Sequence, residues 1–184
     1  MKLTALCCFL IVAGSCGLIP GAKPPNLLVQ NYDTLLKKTD NGWLYRGLPF
    51  NGYMVESGRD GAILYKLPII NGLEEGEAFG YYNTGEKLLV RHYKKGLQEG
   101  LFTQWWPNGR VRYACLYKAD KLNGLQLAYY PTGQIKQESH FIEGEEAGRQ
   151  KAWTAGGVLI TNYTVKNNKK YGIVNTQSCL PVYH

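Results

Sequence analysis

The chain has 184 residues, with 21 Lys and Arg against 14 Asp and Glu, a formal net charge of +7 and 45% hydrophobic residues. That length suits one domain plus processing segments, and the 22 Gly and 14 Tyr point to short strands joined by tight turns rather than to long amphipathic helices or a low-complexity chain. Basic and acidic residues are interspersed without a basic block, so the charge reads as a solvated surface of mixed sign and does not demand a nucleic acid.

The first residues, MKLTALCCFLIVAGSCGLIPG, place one Lys before an apolar run from Leu3 to Ala13 and then small residues. This is the layout of a secretory signal peptide. The run is shorter than the roughly 20 residues a membrane-spanning helix needs. Ala13, Gly14 and Ser15 precede Cys16, and this stretch resembles a bacterial lipobox, in which the cysteine becomes the acylated N-terminus. Ordinary signal-peptidase cleavage after Ser15 uses the same bond. Acyl chains anchor through about 0.8 kcal/mol per buried methylene. Residues 1–15 are therefore expected to be a signal peptide. Residues 16–40, with Pro20, Pro24 and Pro25, are expected to be a lipidated N-terminus and linker.

With Cys16 acylated, Cys115 and Cys179 are the thiols left in the mature chain. In an oxidising compartment they form a candidate disulfide; the alternative is two unpaired structural thiols. No pair of Cys or His has metal-ligand spacing, and no cofactor is expected.

From Gly52 onward the chain repeats. Gly52, Gly76, Gly100, Gly124, Gly148 and Gly172 are 24 residues apart, and so are Gly61, Gly85, Gly109, Gly133 and Gly157. A third series, Gly72, Gly96, Asp120, Gly144 and Asn168, holds the residue types that most easily enter the left-handed backbone region. Aromatics keep the same beat. Tyr81, Trp105, Tyr129 and Trp153 share one phase; Tyr82, Trp106 and Tyr130 share the next, which lapses to Thr154; Tyr93, Tyr117 and Phe141 share a third.

Each unit reads as a hairpin. The first strands are YMVES, AFGYY, LFTQWW, LQLAYY and RQKAWT; the returning ones are AILYKLPI, KLLVRHY, VRYACLY, IKQESHF and VLITNYTV. Between them stand Asp60-Gly61, Thr84-Gly85, Asn108-Gly109, Thr132-Gly133 and Gly156-Gly157. Asp-Gly and Asn-Gly favour two-residue hairpin turns, and the Thr-Gly turns favour a glycine bulge. Strict alternation in the returning strand places Ile63, Tyr65, Leu67, Ile69, Val111, Tyr113, Cys115, Tyr117, Ile135 and Phe141 on one face. It leaves Arg112, Lys136, Glu138, His92 and His140 on a wetter one. An incomplete unit with Trp43 and Tyr45 comes first. The fold class is all-β: a single-layer meander of antiparallel hairpin repeats over residues 41–172, with a C-terminal tail at 173–184.

An aromatic pair, x-Asn/Thr-Gly, a β-rich return and Gly-x-x-x-Gly together resemble the MORN repeat, in the bacterial variant of YwqK-type proteins often labelled antitoxins. QWWPNGRVRYACLYKADKLNG is the nearest unit, AYYPTGQIKQESHFIEGEEAG the next, and LPFNGYMVES resembles the opening of the first repeat. The resemblance implies a binding or scaffolding surface rather than catalysis. His92 and His140, in equal phase two repeats apart, read as surface histidines. Glu74, Glu75, Glu99, Glu145 and Glu146 read as solvated turn residues, and no catalytic motif is present. The export signal sets nucleic acid aside as a partner. It leaves a protein-binding scaffold tethered to the bacterial envelope, membrane-bound through its lipid anchor, with envelope glycan or lipid-headgroup binding and a toxin–antitoxin role as the alternatives. Adjacent strand residues face opposite sides. Trp105 is expected to stack between repeats, and Tyr82, Trp106 and Tyr130 to be the candidates for partner contact.

Overall fold

The computed structural model describes residues 23–174. The stretch expected to be a signal peptide, Cys16, Cys179 and most of the expected C-terminal tail lie outside the described residues. The body is one 14-stranded sheet. Its first edge is β1 (Leu28–Gln30), which runs parallel to β5 (Gly52–Ser57). The meander continues antiparallel through β6 (Ile63–Ile70), β8 (Gly76–Tyr81), β9 (Lys87–Lys94), β11 (Gly100–Trp105), β12 (Val111–Lys118), β13 (Lys121–Tyr129), β14 (Ile135–Ile142), β15 (Glu145–Trp153), β16 (Leu159–Lys166) and β17 (Lys169–Ile173). Two short strands, β7 (Leu73–Glu74) and β10 (Leu97–Gln98), pair with β6 and β9 beside the main path.

Two kinds of turn close the hairpins, at opposite ends of the sheet. At one end Asn71-Gly72, Lys95-Gly96, Ala119-Asp120, Glu143-Gly144 and Asn167-Asn168 all carry positive φ at both residues. That is the two-residue turn whose twist matches the strands it joins. At the other end Trp106 N–H donates to Arg110 O at 2.8 Å and Gly109 N–H to Trp106 O at 2.9 Å, a pattern repeated at Gly61, Gly85, Gly133 and Gly157. Gly61 and Gly109 have φ of 82° and 77°, whereas Asp60 and Asn108 stay outside the left-handed region. All five are glycine-bulge turns, so the expectation of a different turn at Asp-Gly and Asn-Gly is corrected. The Thr-Gly and Asn-Gly units share one backbone because only the glycine enters the left-handed region.

Consecutive units are tied at both ends. The second turn residue donates its N–H to a carbonyl of the unit before: Gly72 to Phe50 O, Gly96 to Glu74 O, Asp120 to Gln98 O and Gly144 to Leu122 O, at 2.8 to 3.0 Å. The first turn residue is held by a side chain: Asn71 N–H by Asn51, Lys95 N–H by Glu75 and Ala119 N–H by Glu99, at 2.8, 2.7 and 2.9 Å. Glu75 and Glu99 are therefore staples between units.

The N-terminal part departs from the linker expected over residues 16–40. Within it β1 pairs with the main sheet, and β2 (Leu36–Thr39) joins β3 (Gly42–Tyr45) and β4 (Leu48–Pro49) in a separate three-stranded sheet. Arg46-Gly47, with φ of 54° and 80°, makes the β3–β4 turn. It stands one residue out of the 24-residue phase of Asn71-Gly72. The small sheet docks by Trp43 N–H to Gly72 O at 2.7 Å. Leu36 and Phe50 then pack with Val29, Met54, Leu67, Ile69 and Ala78 in the main core cluster, flanked by Trp43, Tyr45, Tyr65 and Tyr93.

Glu74, only 6% exposed, accepts Trp43 Nε1–H at 2.8 Å and Lys38 Nζ–H at 3.0 Å. Burial alone raises a carboxyl; here those bonds and the backbone N–H outweigh it and hold Glu74 below its usual range.

Candidate functional site

Pair register defines two faces. The inner face carries Met54, Leu67, Ala78, Arg91, Phe102, Cys115, Gln126, Ser139, Gln150 and Tyr163 across successive strands. All of these except Arg91 and Gln126 are among the most buried side chains. Phe102 packs edge-on to Tyr117 at 6.4 Å and tilted on Tyr113 at 5.7 Å, and Arg91 lies 5.1 Å from the Phe102 ring centroid. Among the described residues Cys115 has no disulfide partner; it is 2% exposed, and burial pushes its thiol up to about 11.

The outer face differs from strict alternation. Register slips by one residue between Gln104 and Trp105, and likewise at Glu56/Ser57, Gly80/Tyr81, Ala128/Tyr129 and Ala152/Trp153. The extra residue sits in the returning strand, so two residues there oppose one on its partner. Val111, paired with Trp105, therefore joins Trp105 on the outer face, and Ile63 and Ile135 move with it. The single-face assignment of Ile63, Val111 and Ile135 with Tyr65 and Tyr113 is corrected accordingly.

Trp105, expected to stack between repeats, lies on the outer face instead, since its own strand has no extra residue and keeps strict alternation from Phe102. Counting along the unbulged strand, Trp105 shares the outer face with Leu101 and Thr103, and Lys87 Nζ lies 5.3 Å from its ring centroid. Tyr81, Tyr129 and Trp153 follow Trp105. The other phase is bound up in the fold. Tyr82 OH donates to Trp105 O at 2.7 Å, Trp106 Nε1–H to Tyr129 O at 3.1 Å and Tyr130 OH to Trp153 O at 2.9 Å. Through these bonds Tyr82, Trp106 and Tyr130, expected to contact a partner, fasten each unit to the next, while their rings stay half-buried.

The histidines are also structural. His92 Nδ1–H donates to Leu101 O at 2.6 Å and His140 Nδ1–H to Arg149 O at 2.9 Å. Pro68, His92, Leu116 and His140 occupy one repeat position, each against the following boundary glycine. A Cβ on Gly76, Gly100, Gly124 or Gly148 would lie 3.6 to 3.8 Å from that neighbour. Where the neighbour is leucine, the outer face gains an apolar patch: Leu101, Leu116 and Leu125, on three adjacent strands, are 48%, 46% and 39% exposed. Glu146, at the far end, accepts from Tyr163 OH and Lys170 Nζ–H at 2.9 Å each. Its carboxyl is held below the usual range, chiefly by Lys170. Among the described residues no cluster of three or more His, Cys, Asp or Glu is placed to hold a metal ion.

A single-layer sheet of stapled hairpins, buried on one face and aromatic on the other, is a repeat protein of the binding or scaffold class. Residues 98–119 and 122–143 match the MORN repeat variant. These stretches cover β11 with β12, and β13 with β14; the hairpins on either side repeat their register shift and turns. No curated protein is significantly similar to the chain.

Proposed function

We propose that the chain is a non-enzymatic binding scaffold, tethered to a bacterial envelope membrane through an acylated Cys16, whose outer face receives a protein partner. The observation that carries the protein-partner reading is the Leu101, Leu116 and Leu125 patch. Scattered exposed leucines are ordinary, but three on one face of neighbouring strands, Leu101 directly opposite Leu116, suit a partner's apolar side chains. Lys118, on the same face as Leu116, and Arg149, beside His140, favour an acidic rim on that partner. The tether rests on the apolar run and the small residues before Cys16.

The test joins both parts. Labelled palmitate is incorporated into the wild type and lost in Cys16→Ser. Cross-linking in the envelope captures a partner that the double variant Leu101→Glu, Leu116→Glu loses at unchanged melting temperature. Absence of acylation removes the tether and favours a cytoplasmic, antitoxin-like role. Capture that survives the double variant removes the patch.

A further inference from the structure

A second feature of the outer face is independent of the leucine patch. Tyr81 pairs with Lys87, Trp105 with Val111, Tyr129 with Ile135 and Trp153 with Leu159. These pairs form one stripe across eight consecutive strands, from β8 to β16, with an aromatic ring on every second strand. Neighbouring strands are about 4.8 Å apart, so the rings recur at about 10 Å. That is close to the length of one disaccharide in a β-1,4-linked glycan, whose sugar faces stack on aromatic rings. A polypeptide strand lying on the stripe has no matching period, because its same-side residues recur at about 6.8 Å.

Cations accompany the rings. Lys87 Nζ is 5.3 Å from the Trp105 centroid and Lys151 Nζ 6.0 Å from that of Trp153. At the Tyr81 end, Lys66 helps line a cleft of about 340 Å³ with Ile63, Leu64, Tyr82 and Asn83. The acidic neighbour in register is Glu138, opposite Lys151.

We infer that the Tyr81–Trp105–Tyr129–Trp153 stripe binds a single chain of an acidic β-1,4-linked glycan. Alternate sugars stack on the four rings, and lysines pair with the glycan's carboxylates. Strand twist of about 20–25° per step turns each ring relative to the last, so the stripe follows a flexible chain and not a flat crystalline surface.

Affinity electrophoresis of the full chain in soluble carboxymethyl-cellulose tests this. The expected result is retardation by that polymer, weaker retardation by neutral hydroxyethyl-cellulose and none by dextran, with no adsorption to crystalline cellulose. Trp105→Ala and Trp153→Ala each weaken binding about tenfold, and Trp105→Phe retains most of it. Lys87→Gln and Lys151→Gln remove the preference for the acidic polymer. Melting temperatures of the phenylalanine and glutamine variants separate binding from folding. Equal retardation by dextran, or unchanged binding in both alanine variants, overturns the assignment. So does a stripe that binds no polysaccharide but cross-links to a protein.

Discussion

The indole N–H of Trp106 donates to the carbonyl oxygen of Tyr129 across 3.1 Å, joining positions 23 residues apart in sequence but on adjoining hairpins. Tyr82 and Tyr130 make the same tie with a phenol. The ring type varies while the bond persists, so the donor is what the position requires. Trp106→Phe keeps the apolar bulk and deletes the donor. The expected cost is about 1 kcal/mol, or about 2–4 °C of melting temperature for a chain of this size. Trp105→Phe should leave the melting temperature nearly unchanged. Thermal unfolding followed by circular dichroism compares the two; an equal loss in both variants would mean that the bond is not what matters.

That pair also marks how far the sequence could be read. Glycine and aromatic periods located the hairpins, because turns that demand positive φ leave residue types that sequence alone displays. The assignment of Val111, Ile63 and Ile135 to a face failed at one extra residue per unit, the bulge near Arg112. Period-two counting carries no record of a bulge, and register is set by pairing rather than by composition. Residues 28–39 escaped for another reason. LVQ is too short and LKKT too polar to signal a strand, and they become strands only because β5 and β3 offer partners. Glu75 and Glu99 looked like solvated turn residues because their acceptors' partners, the backbone N–H groups of Lys95 and Ala119, lie 20 residues away.

Glu74 makes the N-terminal sheet sensitive to acid. Its folded carboxyl lies below the usual value of 4.5. A lowered folded value means that ionised Glu74 stabilises the fold. This contribution is complete above the unfolded value and is lost as pH falls through the folded one. Between pH 6 and pH 3 the wild type should therefore lose more stability than Glu74→Gln, which is less stable at pH 6 but flatter. Urea midpoints across that range report the difference; parallel curves would remove Glu74 from the acid response.

The turn at Ala119-Asp120 is the one meander turn of its kind without Gly or Asn, with φ of 48° and 64°. An alanine held in the left-handed region costs about 1 kcal/mol, and Asn at the first position of this turn lowers that strain. The Ala119 N–H that bonds Glu99 survives the change. Ala119→Asn is expected to stabilise by about 0.5–1 kcal/mol, seen as a higher urea midpoint at constant slope. Ala119→Val, β-branched and intolerant of positive φ, should move the midpoint the other way. Falling midpoints in both would place the strain elsewhere.

Cys115 gives a readout of the sheet's middle. It is buried between Phe102 and Gln126 on the inner face, and burial raises its thiol to about 11. Thiolate is the reactive form, so at pH 8 both exclusion and protonation protect it. In the native chain without reductant, iodoacetamide should leave Cys115 unmodified, as mass spectrometry of its peptide would record. In urea without reductant it should become fully modified. A Cys115 that resists modification in urea until reductant is added would instead be held in a disulfide, and the pairing with Cys179 considered from sequence would then stand. Labelling at intermediate urea adds a further test. Because neighbouring hairpins are stapled at both ends, units should open together, and Cys115 modification should track the global circular-dichroism transition. Modification well below that transition would show the middle units opening on their own, as expected if the ties at Gly96, Asp120 and Trp106 were weak.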